Sequence, residues 1–77
     1  MTRDELIHRY AIIYQVDETL VRAWYDGLSP HVQRCVERTT TKNRLPTLGE
    51  DARAYEDAMN RLIDVVIQAT QEKEQTL

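Results

Sequence analysis

The stretch Tyr10–Trp24, YAIIYQVDETLVRAW, decides how this chain folds. Ala11 is small, and Tyr14, Val16, Val21 and Trp24 are apolar. Gln15 and Val16 interrupt the helical spacing just before Asp17. This order predicts two short helices packed across a tight turn, with Ala11 where the second helix crosses the first. Asp17 has the chemistry of an N-cap, and Glu18 in the first turn complements the helix dipole. Leu20, Val21 and Trp24 are expected on the inner face of the second helix. Gly27 is expected to end it in the left-handed conformation.

Upstream, Thr2 and Glu5 have capping-box spacing and start the first helix. Leu6, Ile7, Tyr10, Ala11, Ile13 and Tyr14 then recur at helical spacing. Ile12 widens this stripe to nearly the whole circumference, and a helix apolar all round is buried on more than one side. In so short a chain that implies a second subunit or a partner. Downstream, Ser29-Pro30 opens a third helix, an N-cap followed by proline at the first helical position. Val32, Cys35 and Val36 are expected inward. Thr39 to Arg44 is polar and partly β-branched, so the helix is expected to fray there, and Pro46 marks a loop.

Thr47 and Glu50 form a second capping box. Leu48, Ala52, Tyr55, Met59, Leu62, Val66 and Ala69 follow at alternating steps of four and three, an a/d seam of about three heptads. Ile63 and Ile67 widen it to a core-type face. The polar tail from Gln71 is expected to fray. The expected architecture is therefore all-α. It is a single domain over 1–77, with a helical hairpin part (1–45) and a long C-terminal helix (46–74) serving as core and possible dimer interface.

At 77 residues the chain is near the lower limit for a self-sufficient core, so a homodimer is the expectation. A lone cysteine excludes an internal disulfide framework and fits a reducing, cytoplasmic setting. No run approaches the ~18 apolar residues of a membrane span, and the charged start MTRDELIHRY lacks a signal-peptide core. The net charge of −3 is uneven: residues 1–45 hold seven Lys/Arg against six Asp/Glu, and residues 46–77 hold three against seven. That balance argues against strong non-specific binding to nucleic acid but allows a local basic face.

Residues 7–26 resemble the helix-turn-helix family of small bacterial and phage regulators. Ala11, Val16, Val21 and Trp24 match its pattern of a small residue, a post-turn aliphatic and spaced apolar positions. Gln15 stands where the family usually has glycine. Ile12 and Ile13 stand where it usually has polar residues. The resemblance implies a dimeric DNA-binding transcriptional regulator whose second helix reads the groove. Glu18, Thr19, Arg22 and Tyr25 would then face outward. Arg22 would donate bidentately to guanine, Thr19 would meet a thymine methyl or a phosphate, and Glu18 would accept from a cytosine amine. Arg34, Arg38, Lys42 and Arg44, interleaved with threonines, would hold the phosphate backbone.

A second class fits the same residues: an acidic helical module, similar in size and charge to phage- or plasmid-type inhibitors and adaptors, that binds another protein. Ile12 and Ile13 would then be contact residues, and Tyr55, Met59, Leu62 and Val66 would belong to a partner or dimer interface. Enzymatic chemistry finds no support in the sequence, with no Gly-rich phosphate loop and no nucleophile–base–orienter set. His31 and Cys35 share a helix face at i,i+4. Two ligands do not make a metal site, and His8 is the only third ligand the sequence suggests. No metal and no cofactor are expected.

Overall fold

Among the described residues four α-helices follow one another: α1 (Arg3–Tyr14), α2 (Glu18–Asp26), α3 (Pro30–Lys42) and α4 (Gly49–Gln75). The structure, a computed structural model, describes residues 1–42 and 49–75, and no strand occurs among them. The fold is all-α, as the periodicity predicts. Thr47, Leu48 and Arg44 lie outside the described residues, and with them part of the second capping box, the start of the seam and one of the four basic positions.

Local chemistry sets the helix ends. The Thr2 hydroxyl accepts from the Glu5 N–H at 3.2 Å, half of the expected capping box. After Tyr14, Gln15 takes the left-handed conformation (φ 56, ψ 48). The Val16 N–H then reaches the Ala11 carbonyl at 3.1 Å and the Gln15 N–H reaches Ile12 at 3.3 Å. This is a Schellman turn, which satisfies two helix-end carbonyls while reversing the chain. Asp17 caps α2, its carboxylate accepting from the Thr19 N–H at 2.9 Å. Ser29 Oγ accepts from the Val32 N–H ahead of α3.

Gly27 departs from expectation. It is right-handed (φ −78, ψ −10). Its N–H bonds to Ala23 and Trp24 carbonyls, and Leu28 N–H bonds back to Tyr25, so the chain turns tightly without a left-handed residue.

The helices close a ring of contacts: α1 on α2, α2 on α4, α4 on α3 and α3 on α1. At 1.5 Å per residue α4 is about 40 Å long, and it sets the 43 Å long dimension of the molecule. Leu6, Ile7, Val21, Val36 and Leu62 are fully buried at the centre, surrounded by Tyr10, Ala11, Trp24, Tyr25, Leu28 and Ala58. Trp24 fixes one crossing, its indole N–H donating to the Ala58 carbonyl at 2.8 Å, while its ring meets Tyr10 edge-on. The Tyr10 hydroxyl pairs with Thr40 at 2.7 Å, and Thr40 donates to the Val36 carbonyl at 2.8 Å.

These bonds explain why α3 does not fray at Thr39 as expected. Thr39 is buried and Thr40 is tied on two sides, so packing overrides the weak helix propensity of threonine through Lys42.

The buried stripe of α2 is Val21, Trp24, Tyr25, continuing to Leu28, with Leu20 outside it. The expected inner residue Leu20 is thus rotated out, and the expected outer residue Tyr25 is rotated in. On α4 the seam is narrower than predicted: of its described positions only Leu62 is buried, joined by Ala58 from outside it, while Ala52, Tyr55, Met59, Val66 and Ala69 are half-buried and Ile63 and Ile67, expected to widen the core face, are exposed. No described helix is long and apolar enough to cross a membrane.

Candidate functional site

Three surfaces gather the polar and apolar residues that could act. The first is the outward face of α2. Arg22 donates to Asp4 of α1 at 2.9 Å. That hydrogen bond, with the nearby Asp26 and Glu18 carboxylates, raises the Arg22 pKa further. Glu18 itself pairs with His8, and Asp26 with Arg3. Thr19 is exposed. Tyr25 is not part of this face: it is 5% exposed, and burial raises its phenol pKa. The expected groove-reading set is therefore reduced to Glu18, Thr19 and Arg22, with Arg22 held among three carboxylates.

The second surface is α3. Arg34, Arg38 and Lys42 are exposed and line a shallow recess with Glu37 and Thr41. Arg38 also reaches Asp51 of α4 at 3.8 Å. Beside it, the His31 ring Nε2 lies 3.2 Å from Asp51 Oδ1 and 3.8 Å from Cys35 Sγ. Burial, then the neighbouring Asp51 carboxylate, pushes the Cys35 thiol pKa up. The third ligand-type residue beside His31 and Cys35 is thus Asp51, and His8 is engaged with Glu18 instead. Sequence reasoning missed Asp51 because it comes from another helix. Its only advance signal was an acidic first turn on α4.

The third surface is apolar. Ile12 is 61% exposed and Ile13 is 60% exposed, side by side at the end of α1. Just past the turn, Val16 and the exposed Leu20 line a recess with Ala69 and with the polar Gln15, Asp17, Thr70, Glu72 and Lys73, between the hairpin turn and the end of α4. Ile63 and Ile67 are exposed one turn apart on α4. Of the expected interface residues, Ile12 and Ile13 lie on the surface. Tyr55, Met59 and Val66 are half-buried, and Tyr55 and Met59 pack against the core of this chain. Leu62 is fully buried inside the chain and has no area left for a partner. Comparison with protein-family models, with curated proteins and with solved structures found no match.

Proposed function

We propose that this chain is a small non-enzymatic interaction module that binds another protein through the apolar surface at the α1–α2 turn, in a reducing, cytoplasmic setting. The observation that carries this reading is the exposure of Ile12 and Ile13 at the end of α1, with the exposed Leu20 just past the same turn. Single exposed aliphatics are ordinary, whereas several gathered at one end of a molecule suit an interaction surface. The acidic balance of residues 46–77 suits a basic partner surface. A second copy of the chain is the other partner the same surface would accept. The test is a pull-down with wild type and Ile12→Glu, alongside light scattering across a concentration series. Ile12 lies outside the core, so the variant keeps its helical circular-dichroism signal. The expected result is a stoichiometric complex, with a partner or with itself, that Ile12→Glu loses. A wild type that stays monomeric and retains nothing that Ile12→Glu loses refutes the reading.

The basic edge of α3 favours a second reading, a dimeric DNA-binding transcriptional regulator. Guanidinium, ammonium and hydroxyl groups in one recess suit phosphate oxygens. Under this reading Arg22→Ala abolishes sequence preference in a gel shift, and Arg38→Ala lowers affinity and the salt slope. The ion pair between Arg22 and Asp4 places it second, since Arg22 must leave Asp4 to reach a base.

A further inference from the structure

We infer that His31, Cys35 and Asp51 form a binding site for a zinc-class transition-metal ion joining α3 to the start of α4. The three ligand atoms lie within 4.8 Å of one another. A tetrahedral zinc site with bond lengths of about 2.05 Å to nitrogen, 2.1 Å to oxygen and 2.3 Å to sulfur has N···O edges of roughly 3.4 Å and N···S edges of roughly 3.6 Å. The edges here are 3.2 Å for His31 Nε2 to Asp51 Oδ1 and 3.8 Å for His31 Nε2 to Cys35 Sγ. The third edge, Cys35 Sγ to Asp51, lies within 4.8 Å, against roughly 3.6 Å for an ideal O···S edge, so metal binding draws the exposed Asp51 carboxylate toward Cys35.

The geometry also separates this site from a catalytic Cys–His–Asp relay. A relay needs the carboxylate on one ring nitrogen and the thiol on the other. Here both face the same nitrogen, Nε2, so the three groups converge on one point. Cys35 is 3% exposed and forms the dry wall, whereas the His31 and Asp51 side chains are open to solvent on the other side. A water completes the tetrahedron from that side. Thiolate and carboxylate together balance the charge of a divalent ion, and the thiol proton is released to solvent as the metal binds. Arg38 sits by the other carboxylate oxygen, Oδ2, and keeps Oδ1 turned toward His31.

The test is titration of the full chain, reduced and metal-free, with Co(II) and then Zn(II). The expected result is one equivalent of Co(II) giving thiolate-to-cobalt charge-transfer absorption and tetrahedral d–d bands, displaced by Zn(II), with a Tm that rises with Zn(II) concentration. His31→Gln and Asp51→Asn both alter surface side chains, so the helical signal stays intact. Each should lose at least the roughly 10–100-fold in affinity that removal of an outer-shell partner costs. His8→Gln should bind as wild type does. Absence of the thiolate band overturns the inference. So does affinity within tenfold of wild type in either ligand variant, or loss of binding in His8→Gln.

Discussion

Gln15 is the position where local strain can be read most directly as stability. It is the only non-glycine residue among those described with positive φ, and the Schellman turn requires that conformation. A left-handed L-residue costs about 1–2 kcal/mol relative to the right-handed region. Glycine removes that cost but brings back roughly 0.4–1 kcal/mol of unfolded-chain entropy. The side chain is exposed, so its loss removes little packing. Gln15→Gly should therefore stabilise the fold by about 0.5–1 kcal/mol. In a domain of this size that is a rise in Tm of roughly 2–8 °C. Urea denaturation followed by circular dichroism measures it, with an unchanged m-value showing that the compactness of both states is preserved. Gln15→Ala, which keeps the strain, should gain nothing, and β-branched Gln15→Val should lose stability. A Gln15→Gly midpoint at or below wild type, with m unchanged, refutes the assignment of strain to this turn.

Gly27 predicts the converse. Its φ is ordinary and a Cβ there would meet the Ala23 and Trp24 carbonyls at 3.5 Å, a normal contact, so Gly27→Ala should stabilise the fold by about 0.4–1 kcal/mol, read as a higher urea midpoint at unchanged m. Leu62→Ala removes a fully buried side chain and should cost about 2–5 kcal/mol, while Ile67→Ala on the exposed stripe of the free chain should stay within about 0.5 kcal/mol. Burial, then the neighbouring Tyr10, raises the Tyr55 pKa from 10.0 to about 12. Its neutral phenol is thus favoured by the fold, and stability should fall as pH rises from about 10 toward about 12, a loss that Tyr55→Phe removes in alkaline denaturation. The Thr19 N–H lowers the Asp17 pKa below 3.8, so the Asp17 cap should be fully effective above that pH and lost as acid titrates it. Asp17→Asn should flatten that acid limb while still capping α2.

Periodicity and capping chemistry were enough to place all four helices, because Thr2, Asp17 and Ser29-Pro30 are local signals that act on local backbone. The rotation of α2 is carried by the i, i+3, i+4, i+7 spacing of Val21, Trp24, Tyr25 and Leu28, but the expected facing differs at two positions: the helix-turn-helix resemblance implies Tyr25 outward, and Leu20 is expected inward. The width of the α4 seam was not legible, since α2 and α3 reach only as far as Ala58 and Leu62 at full burial. The ion pairs of Arg22 with Asp4 and His8 with Glu18 depend on how α1 lies across α2. The convergence of Asp51 on His31 and Cys35 depends on the return of α4 along α3. None of these can follow from spacing within one helix.

The bond from the Trp24 indole to the Ala58 carbonyl gives the molecule an optical reporter. Trp24 is the sole tryptophan, and the bond spans 34 residues of sequence. Its emission therefore reports on the docking of α2 against α4 without interference from another indole. Resistance to an aqueous quencher would follow that docking, even under conditions where both helices keep their circular-dichroism signal.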